Sequence, residues 1–320
     1  MTDFPYNARM DLLADVFRQA GLRSRLLHQR VFAAPAALAF PCDKSIGFHV
    51  VTQGRAWVHS PAHDGPIELG AGDVALMARG CDHVVSTSPK LPRRILRMEE
   101  QSELAGDAEA PPLLTLVSGA YQVWNTPVHP FFDELPRWYV MRADELDRFD
   151  EAELAIRMLA GETARREVGA ETVTQALLDI LFTHIVRRII ARRAAAPQSW
   201  SHALNHAQIR AALELMHADC AHEWTLDELA RRVGLSRAGF AQKFRQEVGT
   251  PPLQYLTTLR VQKAMELLAG TDDKMEAVSQ AVGYKDAFSF SKVFKKVAGM
   301  PPRDFRLRDR AGRADAFRFS

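Results

Sequence analysis

Apolar and polar positions follow two different periods along this chain. Between residues 26 and 100, short apolar runs such as Phe48-His-Val-Val-Thr52, Arg55-Ala-Trp-Val-His59 and Asp73-Val-Ala-Leu-Met77 are separated by Gly and Pro, which predicts strands joined by turns. Beyond residue 140 the period becomes helical. Helices are predicted over 144–160 and 170–193, the second with Val173, Leu177, Ile180, Leu181, His184, Ile185 and Ile189 on a broad apolar face. Its basic end, Arg187-Arg188 and Arg192-Arg193, suits a helix C-terminus, where the backbone dipole is negative. Ala194-Ala-Ala-Pro-Gln-Ser-Trp-Ser201 reads as a linker.

The C-terminal third repeats itself. Phe244/Phe294, Gly249/Gly299, Pro251/Pro301, Pro252/Pro302 and Tyr255/Phe305 are each 50 residues apart, and Val233-Gly234-Leu235 echoes Val282-Gly283-Tyr284. In the first copy Thr225-Leu-Asp-Glu228 forms a capping box, with the Thr hydroxyl accepting a backbone N–H and the Glu reaching back. Leu226, Leu229, Ala230 and Val233 give one apolar face, Gly234 turns the chain, and Ser236 caps a helix whose core side is Phe240, Phe244 and Val248. The second copy runs from Met275, Val278, Ala281 and Val282 through Gly283-Tyr284 to an Asp286-capped helix with Phe290, Phe294 and Val297. Residues 253–268 form a connecting helix, about 24 Å long at ~1.5 Å per residue. Helix, glycine turn, helix is the plan in which the second helix enters a DNA major groove.

Composition narrows the possibilities. The chain has 320 residues, enough for two or three domains, and 47% hydrophobic with 25% charged residues excludes a disordered or collagenous chain. No apolar run approaches the ~20 residues of a membrane span, and the N-terminus lacks the layout of a secretion signal, so a cytoplasmic protein without a membrane partner is expected. Three cysteines, Cys42, Cys81 and Cys220, fit a reducing compartment. Net charge is +2 overall but unevenly spread: 22 basic and 25 acidic residues lie in 1–196, against 19 basic and 14 acidic in 197–320. A basic rear half points to a polyanionic partner.

The repeated segment, about 204–308, resembles the tandem helix-turn-helix domain of AraC/XylS-type transcription regulators. The resemblance is carried by Thr225-Leu-Asp-Glu-Leu-Ala230, Val233-Gly234-Leu235-Ser236-Arg237, Phe240…Phe244-Arg245…Gly249…Pro252, Tyr255-Leu256…Arg260…Ala264…Leu267-Leu268, Ala281-Val282-Gly283-Tyr284 and Phe290…Phe294-Lys295-Lys296…Gly299-Met-Pro301. At 100° per residue, Ala238, Ala241, Gln242 and Arg245 lie opposite or beside the Phe240/Phe244 stripe, and Phe288, Ser291, Lys292 and Lys295 correspond to them in the second copy. Gln242 is suited to an adenine edge and Lys292 to guanine acceptors, while Arg237, Arg245, Lys285 and Lys295 are suited to phosphates. Relatives commonly carry Arg where Gln242 stands, so base preference does not carry over. Phe288 has two readings: an apolar contact with a thymine methyl, or a place in the local core.

The front of the chain resembles the cupin-like sensor domain that precedes such DNA-binding domains. Gly72-x5-Ala78-Arg-Gly80-x2-His83 follows the second cupin motif with Ala78 in place of its proline, and Phe48-His49-Val-Val-x-x-Gly54-x-x-Trp57 and residues 113–140 extend the match. Only His83 falls in the metal register of a cupin, and His-x-His with its following Glu is missing, so neither a metal nor another cofactor is expected and no catalytic residue is assigned. His83 is then structural or pocket-lining. An effector pocket is expected among Phe48, His49, Trp57, Met77, His83 and Trp124.

The resulting expectation is an α+β chain: an N-terminal cupin-like β-barrel (1–140), linking and dimerisation helices with a linker (141–200), and an all-α tandem helix-turn-helix domain (201–310, with units 225–248 and 274–298). The resemblance implies a regulator, an activator acting on promoter or operator DNA with RNA polymerase, controlled by a small-molecule effector. It favours a homodimer through the 170–193 helix, whose other reading is packing on the barrel. Two alternatives stand beside it: a redox switch through Cys42 and Cys81, with Lys44 and Arg79 as neighbouring cations, and a metal cupin enzyme fused to a DNA-binding tail.

Overall fold

The computed structural model describes residues 11–19, 23–41, 45–78, 80–105, 111–122, 129–165, 167–193 and 199–316. Its strands are β1 (Arg23–Phe32), β2 (Ala37–Phe40), β3 (Ser45–His59), β4 (Ile67–Gly70), β5 (Val74–Met77), β6 (His83–Ser86), β7 (Leu114–Gln122) and β8 (Trp138–Met141). Its helices are α1 (Leu12–Gln19), α2 (Pro130–Glu134), α3 (Glu151–Arg165), α4 (Ala170–Arg193), α5 (Trp200–Ala203), α6 (Ala207–Ala218), α7 (Leu226–Arg232), α8 (Arg237–Val248), α9 (Pro252–Gly270), α10 (Met275–Ala281), α11 (Ala287–Ala298) and α12 (Pro302–Ala316). Two compact units form. One holds the strands with α3 and most of α4; the other holds α1, α2 and everything from the end of α4 onward.

In the strand unit, the two apolar runs 48–52 and 55–59 form one long strand, β3. Its first half pairs with β5 and β7, its second half with β4 and β6, all antiparallel. The register shifts between Val51 and Gln53, next to Gly54 at φ +81°, where any Cβ would stand 1.9 Å from the Leu113 carbonyl oxygen. That glycine lets β3 pass from one sheet to the other. The expected closed barrel is therefore an open arrangement: the main path runs β1-β7-β3-β5-β8 and, among the described residues, does not join at its ends. Between the sheets lies an apolar core of Phe32, Leu38, Phe40, Val51, Ala56, Val58, Leu69, Val85, Leu114 and Leu116.

Helix α4 covers the outer side of this sheet. Phe182 meets Phe48 and Tyr121 at 6.4 and 4.4 Å between ring centroids, and the Tyr121 hydroxyl donates to Asp179 at 2.6 Å. Packing on the strands thus accounts for one face of the helix, while Val173 and Ile180 on another face are 40% and 46% exposed. Helix α3 begins at residue 151, later than the pattern predicts, because the Asp150 carboxylate accepts the Ala152 N–H and caps the helix there.

The helical unit is built on the repeat. Thr225, Ser236 and Asp286 each accept a backbone N–H three residues on, from Glu228, Gly239 and Ser289. Gly249 and Gly299 end α8 and α11 in left-handed conformation. The capping box at Thr225 is half made: Glu228 bonds the His222 ring at 3.1 Å instead of reaching back to the Thr225 backbone. Phe290, Phe294 and Phe305 fill the core of the second half around α9 residues Val261, Met265 and Leu268. Helices α1 and α2 also pack here, with Phe131 5.4 Å from Trp200 and Phe17 6.5 Å from Phe132. Asp15 accepts from His217 Nδ1 at 2.6 Å, His217 Nε2 accepts from the Tyr255 hydroxyl at 2.7 Å, and His129 Nε2 donates to that oxygen at 2.9 Å. Every member of this chain is buried, so it joins α1 and the start of α2 to α6 and α9 through polar groups that satisfy one another.

Candidate nucleic-acid interface

The two glycine-turned helix pairs, α7–α8 and α10–α11, present equivalent surfaces. Phe240 and Phe244 in α8, and Phe290 and Phe294 in α11, are fully buried, and this sets which side of each helix faces outward. Positions 50 apart then match in environment. Ala238 and Phe288 are exposed, Ala241 and Ser291 half-buried, Gln242 and Lys292 exposed, Arg245 and Lys295 exposed. All eight thus sit on or beside the outward face that their periodicity gave them.

Phe288 is 75% exposed, so the local-core reading of this ring does not hold. Lys292, one turn on, stands 5.6 Å from the Phe288 ring centroid, a cation–π contact that braces both side chains. Arg237 pairs with Asp227 at 3.3 Å and Lys285 with Glu223 at 3.0 Å, both in solvent, where such pairs are worth little and exchange readily for a phosphate. Lys296, beside Lys295, is a further exposed cation that helical periodicity alone did not single out.

The relation between the two helix pairs is fixed locally. Gly283, at φ +82°, turns the second pair directly against the loop before α7, where a Cβ would come within 2.4 Å of the Ala221 carbonyl oxygen. Arg260 of α9 donates to the carbonyls of Cys220 (2.7 Å) and His222 (2.8 Å), and its guanidinium stands 5.6 Å from the Tyr284 ring centroid. One side chain therefore ties the loop of the first half to the turn of the second.

In the strand unit the residues expected to line a pocket do not share one face. Phe48 is on the outer side, its ring against Gly119 and Phe182. His49, Met77 and His83 are on the inner side and buried, and Trp57 alternates with the core residues Ala56 and Val58. Trp124 lies outside the described residues, as do Cys42, Lys44 and Arg79.

His49 meets His83, Nε2 to Nε2, at 2.7 Å. His83 Nδ1 donates to the Cys81 carbonyl at 2.8 Å, so its Nε2 accepts from His49 Nε2–H, and His49 Nδ1 accepts from the Ser118 hydroxyl at 2.8 Å. Both rings are thus satisfied in their neutral forms. Burial holds the His83 pKa down to about 4 and pushes that of His49 well below the ordinary value. Two nitrogens without a carboxylate or third imidazole among the described residues fall short of a cupin metal site. The Cys81 thiol donates to the Arg137 carbonyl at 3.7 Å, and burial raises its pKa despite the nearby Arg137 charge, which is unlike a reactive thiolate.

Sequence reasoning missed Arg30. It is 5% exposed, donates from Nε to Gln101 at 3.2 Å, and lies 4.9 Å from the Phe40 ring centroid. Its Nη1 has no hydrogen-bond partner among the described residues, and burial lowers its pKa to about 10. The period-2 pattern of β1 offers no signal for a buried cation without a carboxylate.

A helical body that presents two exposed, equivalently placed recognition helices with basic and amide side chains defines a tandem helix-turn-helix DNA-binding protein. Comparison with known proteins agrees. Residues 11–191 match a family described as Cupin, and residues 229–308 match a family described as Helix-turn-helix domain. The chain is 27% identical over 302 residues, 93% of its own length and 98% of the other's, to a Streptomyces lividans protein named as an AraC-like transcription regulator. It is 26% identical over 266 residues, 83% of this chain and 85% of the other, to the RCS-specific HTH-type transcriptional activator RclR of Escherichia coli. Among solved structures, the DNA-binding domain of AdpA in complex with a target DNA is 28% identical and covers 33% of this chain and 95% of its own, with a TM-score of 0.32. The chain belongs to the AraC/XylS family of transcription regulators, with an N-terminal cupin domain. No helix among the described residues is long and apolar enough to cross a membrane.

Proposed function

We propose that this DNA-binding regulator is a cytoplasmic transcriptional activator that reads two neighbouring major-groove segments and is switched by a small acidic effector bound in the cupin domain. The matched exposure of α8 and α11 carries the DNA part. Gln242 reads an adenine edge, Lys292 reads guanine acceptors, and Phe288 packs on a thymine methyl. Arg237, Arg245, Lys285 and Lys295 hold phosphates. In a selection from randomised DNA, Gln242→Ala and Lys292→Ala relax base preference at two separate positions, whereas Arg245→Ala keeps the motif and flattens the salt slope by about one unit. An unchanged motif in both of the first two variants would overturn the assignments.

Arg30 supports an acidic effector, because a buried guanidinium with an unmatched donor gains most from an anion that reaches it. The effector acts by binding one arrangement of the regulator better than another. Small carboxylates that raise the melting temperature of the wild-type protein are expected to lose that effect in Arg30→Gln; an equal shift in both would place the effector elsewhere. The relative named a transcriptional activator supports the sign of regulation and, with it, contact with RNA polymerase. A promoter-reporter fusion that falls silent on deletion of the regulator is the expected result, and one that rises would make it a repressor.

A further inference from the structure

Away from the DNA-reading face and the core of the strand unit, three metal-ligating side chains converge on one point of the helical unit. His202 comes from α5, His206 from the N-cap of α6 and Glu247 from the last turn of α8. Their donor atoms are spaced almost evenly: His202 Nε2 to Glu247 Oε2 3.1 Å, His206 Nε2 to the same oxygen 3.2 Å, and His202 Nε2 to His206 Nε2 3.3 Å. We propose that His202, His206 and Glu247 form a zinc-binding site that fastens the first recognition helix to the α5–α6 corner.

The spacing is the first argument. Zinc bonds of about 2.0–2.1 Å in tetrahedral geometry separate neighbouring ligand atoms by about 3.3–3.4 Å. The three observed separations are within a few tenths of an ångström of that triangle, so little movement is needed to seat the ion. Hydrogen bonding explains the triangle less well. If both imidazoles donate to the shared oxygen, two Nε2–H groups are held 3.3 Å apart with no acceptor between them. One cation between the three atoms satisfies all of them.

The supports of the ligands are the second argument. Residues at an N-cap normally turn a side-chain oxygen back on the helix, but His206 makes no capping bond and points to Glu247 instead. The α5 turn that carries His202 is held at its N-terminal end. Ser199 accepts the His202 N–H at 3.0 Å, and Glu134 accepts the backbone N–H groups of Trp200 and Ser201. Trp200 itself is completely buried. On the other side, Glu247 lies between the buried Phe244 and Val248 of α8. The side chains of His202, His206 and Glu247 are 25%, 33% and 15% exposed, open enough for an ion to enter and to keep a water in the fourth position.

Two imidazoles and a carboxylate select a borderline cation such as Zn²⁺ over Mg²⁺ or Ca²⁺. Gln242 and Arg245 are on the same helix as Glu247, so the ion braces the element that reads DNA. The test is a competition titration of tag-free, chelator-stripped full-length protein with Zn²⁺ against a chromogenic chelator, with Co²⁺ as a spectroscopic substitute. Wild type is expected to take up one tight equivalent and to show the intense visible bands of tetrahedral Co²⁺. Glu247→Gln, which keeps shape, and His206→Ala are expected to weaken binding about ten-fold or more, while His63→Ala at an exposed loop leaves it unchanged. Melting of the apo variants checks that they are folded, and Zn²⁺ raises the melting temperature of wild type and His63→Ala only. Absence of a tight equivalent in wild type, or its full retention in both Glu247→Gln and His206→Ala, would overturn the proposal.

Discussion

Gln242 and Lys292 occupy equivalent places on two helices yet offer different chemistry, an amide with paired donor and acceptor against a single charged donor. On the proposed assignments, the two DNA segments read by one chain are expected to differ in sequence even though the protein halves are alike in shape. His49 and His83 make the opposite point, that identical side chains take complementary roles once buried. One donates and one accepts, and the arrangement works only while both are neutral. Since burial depresses both pKa values, the unfolded chain binds protons that the folded chain refuses. The stability contribution is complete above the ordinary value of 6.5 and is lost as pH falls toward about 4. For His83 alone the interval corresponds to about 3 kcal/mol, an upper figure. Denaturant midpoints are expected to fall between pH 7 and pH 5, and less steeply in His83→Gln. A midpoint that is level over that range would contradict the neutral pair.

At the scale of elements, the repeat was legible because its signals are short-range. The Phe240/Phe244 and Phe290/Phe294 spacings, the Ser236 and Asp286 caps, and the Gly249 and Gly299 stops each lie within a dozen residues of what they control. The helix over 170–193 was equally plain, although its partner was not: Phe182 against the strands and Ile180 toward solvent answer two different questions. Val173 on α4 and Leu154 and Met158 on α3, all exposed, border a cavity of about 550 Å³ that also takes in Phe149 and Leu177, and the exposed Ile180 lies two turns beyond Val173 on α4. We propose that this face pairs two chains, matching paired DNA half-sites with a two-fold dimer. Sedimentation is expected to give dimers for wild type and monomers for Ile180→Glu; a monomeric wild type would refute the pairing.

At the scale of the whole molecule, what escaped sequence reasoning was long-range. Arg30 and Phe40 lie on different strands, His49 and His83 are 34 residues apart, and Asp15 and His217 are 202 apart. No periodicity links such pairs; only the folded chain brings them together. The same holds for α1 and α2, which the sequence places before residue 140 with the sensor domain but which pack with the DNA-binding helices. The open strand arrangement belongs here too, since the register shift beside Gly54 decides whether β3 stays in one sheet or serves two.

The central claim is that α8 and α11 occupy successive major-groove faces of one duplex. Methylation interference on a bound operator tests it most directly, because methyl groups at guanine N7 obstruct only what enters the major groove. Two clusters of interference about 10 base pairs apart on one side of the helix are expected for each bound chain, the one under α11 weakening at the guanine read by Lys292 in Lys292→Ala while the other is unchanged. A single cluster per chain, identical in wild type and Lys292→Ala, would show that only one of the two helices reads DNA.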